Sequence, residues 1–122
     1  MSSLNVNAIN GVDVQNLASK VARAWVNFNG VGVVAIRKAL NVSSITDNGT
    51  GLFVVNFATP MPDANFVGVG NSSNSSGHGA ALLIDSAVTS VVAPTINSMA
   101  IVLHASGLGV QDNLYVNMAF FD

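Results

Sequence analysis

AWVNFNGVGVVAIR, residues 24–37, is the stretch on which the fold turns. Its apolar residues recur with period two. Ala24, Val26 and Phe28, preceded by Ala22, fall on one side of an extended chain, with Val21, Arg23, Trp25 and Asn27 on the other. Asn29-Gly30 then matches a two-residue hairpin turn, in which both residues need positive φ. The run VGVVAIR is expected to return antiparallel. The stretch therefore predicts a β-hairpin with Trp25 on the face that carries Arg23.

The same device repeats outward from it. LNVSSIT (40–46) leads into the turn signal DNGTG (47–51), and LFVVNF (52–57) sets Phe53, Val55 and Phe57 against Leu52, Val54 and Asn56. ATPMPDA (58–64) cannot be a central strand, because Pro60 and Pro62 remove ladder donors. NFVGVG (65–70) predicts a short strand ending at Gly70. NSSNSSGHG (71–79) predicts an exposed polar loop that includes Asn71, Asn74 and His78. ALLID (81–85) and TSVVA (89–93) read as two strands or one interrupted strand, and TINSMAIVLHA (95–105) as a further strand. In the final run, 113–122, Tyr115, Asn117, Ala119 and Phe121 oppose Leu114, Val116, Met118 and Phe120. Both of its faces are rich in apolar groups, so it is expected to be covered on both sides. About eight strands without a long helical stripe predict an all-β chain, an antiparallel β-sandwich of jelly-roll-like form, over residues 20–122. Residues 1–19 have no clear period yet hold Leu4, Val6, Ile9, Val12, Val14 and Leu17. They read as an N-terminal arm for docking or subunit contacts.

Composition limits the partners. Charged residues make up 8% of the 122, against about 25% in an ordinary globular chain, and hydrophobic residues make up 50%. A folded monomer of 12.5 kDa exposes roughly 6,000 Å². Ten charged side chains are few for that surface and give little self-repulsion, which favours association with other copies. Lys20, Arg23, Arg37 and Lys38 are too few for a phosphate-tracking stripe, so nucleic acid is not an expected partner. No apolar run is long enough for a membrane-spanning helix, no membrane insertion is expected, and MSSLNVNAING lacks the pattern of a signal peptide. With no Cys there is neither a disulfide framework nor a thiol nucleophile.

Chemistry-bearing residues are sparse. Asp47, Asp63 and Asp112 each lie beside Asn, Gly or Pro and read as turn-formers through side-chain to backbone bonds. Of the remaining Asp13, Asp85 and Asp122, Asp122 is the terminal residue, and Asp85, approached by an apolar run, is the acid that stands out. His78 and His104 are far apart and belong to no ligand motif, and no GxSxG elbow or phosphate-binding loop occurs. No catalytic residue, cofactor or metal is expected. Trp25, Phe28, Tyr115, Phe120 and Phe121 are the candidates for packing between sheets or subunits. Trp25 is expected to be withdrawn from water rather than to serve as a sugar platform.

ARAWVNFNGVGVVAIR (22–37), followed by NVSSITDNGTGLFVVNFATPMPDANF (41–66), resembles a module of tailed-bacteriophage virion proteins of the tail-fibre or receptor-binding type. The resemblance rests on Ala24 to Phe28, Asn29-Gly30, Val34 to Arg37 and Ser44 to Gly51, and more loosely on Tyr115 to Phe121. It implies a non-enzymatic, β-rich, usually homotrimeric domain located in the virion, contacting capsid or tail proteins and in some cases host-surface glycan. Val31, Val33 and Leu52 stand where the family tends to carry Thr or polar residues. With only a short lead before the motif no long shaft is expected, which leaves a fibre tip, a head fibre or a capsid decoration protein. A carbohydrate-binding module or a glycan-active enzyme domain is the alternative; it needs grooved aromatics or a carboxylate pair.

Overall fold

Alternation of period two governs the computed structural model, which describes residues 8–13, 21–73, 79–84, 86–87, 90–91, 93–105 and 109–122. Every regular element among them is a strand. In chain order these are β1 (Ala8–Ile9), β2 (Val12–Asp13), β3 (Ala24–Asn29), β4 (Ala35–Leu40), β5 (Val42–Gly49), β6 (Leu52–Phe57) and β7 (Val67–Ser73). They continue with β8 (Gly79–Ile84), β9 (Ser86–Ala87), β10 (Ser90–Val91), β11 (Ser98–Ala105), β12 (Gly109–Val110) and β13 (Tyr115–Phe121). One antiparallel sheet runs in the order β4-β3-β13-β7-β8-β11-β6-β5, with β12 added to β11; β1-β2 and β9-β10 are separate two-stranded ladders.

The long sheet folds over on itself like a sandwich. Phe28 of β3 meets Phe53 of β6 edge to face at 5.4 Å, and Phe120 of β13 meets Phe57 of β6 at 4.9 Å. The half β4-β3-β13-β7 thus lies against the half β8-β11-β6-β5. Along the sheet the halves are joined by the short β7-β8 ladder, and at the other end Asn41 is the single residue between β4 and β5. Consecutive strands pair in β3-β4, β5-β6 and β7-β8, while β13 returns to lie beside β7, giving β13-β7-β8-β11 a Greek-key order.

The buried faces follow the sequence pattern. Ala24, Val26 and Phe28, then Phe53, Val55 and Phe57, then Val116, Met118 and Phe120 are all buried, joined by Met99, Ile101 and Leu103 of β11. Five phenylalanines meet in T-shaped contacts, each worth about 0.5–1.5 kcal/mol beyond the area it removes from water. Residues 58–66 form no strand, as the prolines require, and Met61 and Phe66 from this segment close the core.

Three local readings change. Asn29-Gly30 is not a two-residue turn: Asn29 pairs with Ala35 across a loop of residues 30–34. Gly30 is glycine because of close packing, since an added Cβ would meet Phe53 Cζ at 2.9 Å and Asn113 O at 3.1 Å. The Asn-Gly turn with positive φ at both positions is Asn10-Gly11 (φ 50° and 80°), joining β1 to β2 inside the arm. Asn71, Ser72 and Ser73 are not loop residues but the end of β7, paired with Asn117, Val116 and Tyr115. Ser72 is buried there, and its Oγ accepts a hydrogen bond from Asn113 Nδ2 at 3.0 Å. Asn74, His78 and Asp85 lie outside the described residues.

Candidate functional site

Strands whose inner positions fill the core must present their other positions outward. In the half β4-β3-β13-β7 the register aligns these outward positions into rows. One row runs Leu40, Trp25, Ala119, Val69; the next runs Lys38, Asn27, Asn117, Asn71. Phe121 and Val67 pair beyond the first row, and Tyr115 and Ser73 beyond the second.

The second row is a hydrogen-bonded line of amides. Arg37 Nη1 donates to Asn27 Oδ1 at 3.3 Å, Asn27 Nδ2 donates to Asn117 Oδ1, and Asn117 Nδ2 donates to Asn71 Oδ1 at 2.9 Å. Every bond points the same way across the strands. Arg37 reaches this line because a bulge between Asn27 and Phe28 turns it outward. Its Nη2 also donates to Leu114 O at 2.7 Å, and its guanidinium carbon lies 4.4 Å from the Tyr115 ring centroid, a cation–π contact.

The first row is apolar and open. Val67 is 58% exposed, Val69 49% and Leu40 47%, with Tyr115 at 48% on the far side of the amides. Ala119, the small neighbour of Trp25, leaves a depression of about 330 Å³ beside the indole, lined by Trp25, Asn27, Val69, Asn71, Asn117 and Ala119. The face offers an aromatic plane, amide donors and acceptors, and apolar area.

The five aromatic candidates divide between the two faces. Trp25, Tyr115 and Phe121 belong to the outer face, where Trp25 is half-buried instead of withdrawn into the core. Phe28 and Phe120 are fully buried in the chain's own core, so they fill the contact between sheet halves and are out of reach of another subunit. Two acids behave as turn-formers, Asp47 accepting from Gly49 N at 3.0 Å and Asp63 from Asn65 N at 2.8 Å; Asp112 instead makes a long-range bond, accepting from Gly51 N at 2.8 Å. Asp122 pairs with Arg23 at 3.4 Å. His104 is exposed at the end of β11. Among the described residues no three His, Cys, Asp or Glu side chains converge as a metal site.

Sequence reasoning passed over the amide line and the uncovered Leu40, Val67 and Val69. Asn27 and Asn29 recur with period two at outward positions of β3, and Asn117 holds an outward position of β13, but which Asn faces which depends on register. Comparison with protein-family models, curated proteins and solved structures finds no match to this chain.

Proposed function

We propose that the chain is a non-enzymatic structural protein of a tailed-phage virion. In this reading it is a homotrimeric β-domain that acts as a short fibre, a head fibre or a capsid decoration, attached to capsid or tail proteins and turning loops toward the host surface. The virion assignment rests on the resemblance of residues 22–66. The assembly rests on the outer face of β4-β3-β13-β7, where Leu40, Val67 and Val69 are about half exposed in the single chain. Contiguous apolar surface of this kind is what soluble proteins cover with a partner. Light scattering at micromolar concentration should give three times the chain mass of 12.5 kDa, and antibody labelling should decorate purified particles. A monomer, or unlabelled particles, would sink the respective half of the reading.

A carbohydrate-binding reading is favoured by one observation, the indole of Trp25 standing beside the amides of Asn27, Asn71 and Asn117. It requires that oligosaccharides from a bacterial surface change Trp25 fluorescence in a saturable way.

A further inference from the structure

We propose that Asn48 is a site of spontaneous covalent modification in the folded chain. Its side chain cyclises onto the Gly49 nitrogen and opens to aspartate or isoaspartate, while the fold spares Asn29. The proposal stands apart from the virion reading and from the open sheet face.

The sequence holds three Asn-Gly pairs, at 10–11, 29–30 and 48–49. In such a pair the second residue has no side chain to hinder its backbone nitrogen from approaching the Asn amide carbon. The Gly nitrogen gives its proton to solvent base and attacks Cγ of the Asn. The N–Cγ bond forms, the Cγ–Nδ2 bond breaks, and the side-chain amide leaves as ammonia. Water then opens the succinimide at either carbonyl, giving aspartate or isoaspartate with no change of oxidation state. The reaction needs a Gly N–H that solvent can reach and room for the backbone to turn.

The two pairs in the long sheet have opposite surroundings. Gly30 is buried, and its N–H donates to Asn113 O at 2.9 Å. Its Cα packs so closely that an added Cβ would meet Phe53 Cζ at 2.9 Å. Cyclisation at Asn29 must break a buried backbone bond and displace a packed ring. Asn48 is exposed. It is the residue left unpaired where the β5-β6 register shifts, Asp47 facing Phe53 and Gly49 facing Leu52. Asp47 Oδ1 accepts from Gly49 N at 3.0 Å, an exposed side-chain bond that water replaces at small cost. A Cβ on Gly49 would meet Leu52 Cδ1 at 3.9 Å, an ordinary contact, so the turn has space to move. Asn10-Gly11 is exposed as well, but it belongs to the separate β1-β2 ladder, and its conversion leaves the long sheet unchanged. Conversion at Asn48 sets a second carboxylate next to Asp47 on β5, an edge strand, in a chain of formal net charge −2. Charge on an edge strand opposes pairing with foreign strands, so this edge becomes less adhesive as the protein ages.

The full chain, aged in mildly alkaline buffer, should be digested briefly in acid-quenched aliquots and mapped by mass spectrometry. Cleavage after Phe28, Leu40 and Leu52 puts Asn29 and Asn48 in separate peptides. In the folded chain the Asn48 peptide should convert severalfold faster than the Asn29 peptide, and faster still as pH rises. Isoaspartyl methyltransferase should label the converted Asn48 peptide. In urea the two rates should become similar, because the shielding of Gly30 is lost. Asn48→Gln lengthens the side chain and slows ring closure, so its turn peptide should stay unconverted under the same conditions. Equal rates in the folded chain would overturn the proposal, as would an Asn48 that reacts in urea but not when folded. A turn peptide of Asn48→Gln that still converts would place the reaction on another residue and defeat the assignment.

Discussion

At the scale of single residues, three positions carry more than their identity suggests. Gly30 is needed for space: Gly30→Ala drives a methyl against Phe53 and the Asn113 carbonyl, and should cost about 1–3 kcal/mol in denaturant unfolding. Asn41 has φ 54°; its Nδ2 donates to Thr59 O at 3.1 Å and its Oδ1 accepts from Thr59 N at 2.6 Å. Asn41→Gly keeps that backbone without steric cost and loses only the amide bonds. It should therefore be less destabilised than Asn41→Ala, by about 1 kcal/mol in the same measurement. Asn113 is buried with Oδ1 unpartnered among the described residues and Nδ2 held by Ser72. Ser72→Ala strands that donor and should cost about 1–3 kcal/mol, while Ser72→Ala combined with Asn113→Leu should recover part of the loss. If the double variant is the less stable of the two, the amide contributes something beyond its bond to Ser72.

At the scale of elements, the amide line ties three strands together. Asn117→Ala removes its centre and should cost about 1–2 kcal/mol, since each partly exposed neutral bond contributes modestly. Unfolding followed through Trp25 would measure it, and no change would mean that water replaces the bonds at no cost. The elements themselves were largely legible in the sequence. Phe53, Val55 and Phe57 declare an inner face by alternation alone, and Pro60 with Pro62 declare a break. The turns were less so, because a glycine required by a neighbour's ring, as at Gly30, looks the same in sequence as one required by φ. In sequence the polar end of β7 reads as loop, since Asn71-Ser72-Ser73 has no apolar member. It is strand because the outer face tolerates Asn71, and Ser72 finds Asn113 inside. The site was the least legible part, as its rows exist only once Asn27, Asn117 and Asn71 are brought into register from three distant segments.

At the scale of the whole molecule, the proposed assembly rests on the apolar residues of the open face, so it should resist salt. Raising ionic strength from about 0.1 to 1 M shortens electrostatic reach roughly threefold and strengthens apolar contact if anything. The scattering mass should not fall across that range; dissociation in salt would mean that charges, not Leu40, Val67 and Val69, hold the copies. The strand order carries one more consequence. β13, which follows every other strand in the chain, lies between β3 and β7 in the middle of its sheet half. A ribosome releasing this chain makes β3 early and β7 midway, and both then wait with unpaired backbone edges until the final strand emerges to slot between them. Such edges are templates for foreign strands. Nascent chains are therefore exposed to aggregation from the emergence of β3 until β13 joins it.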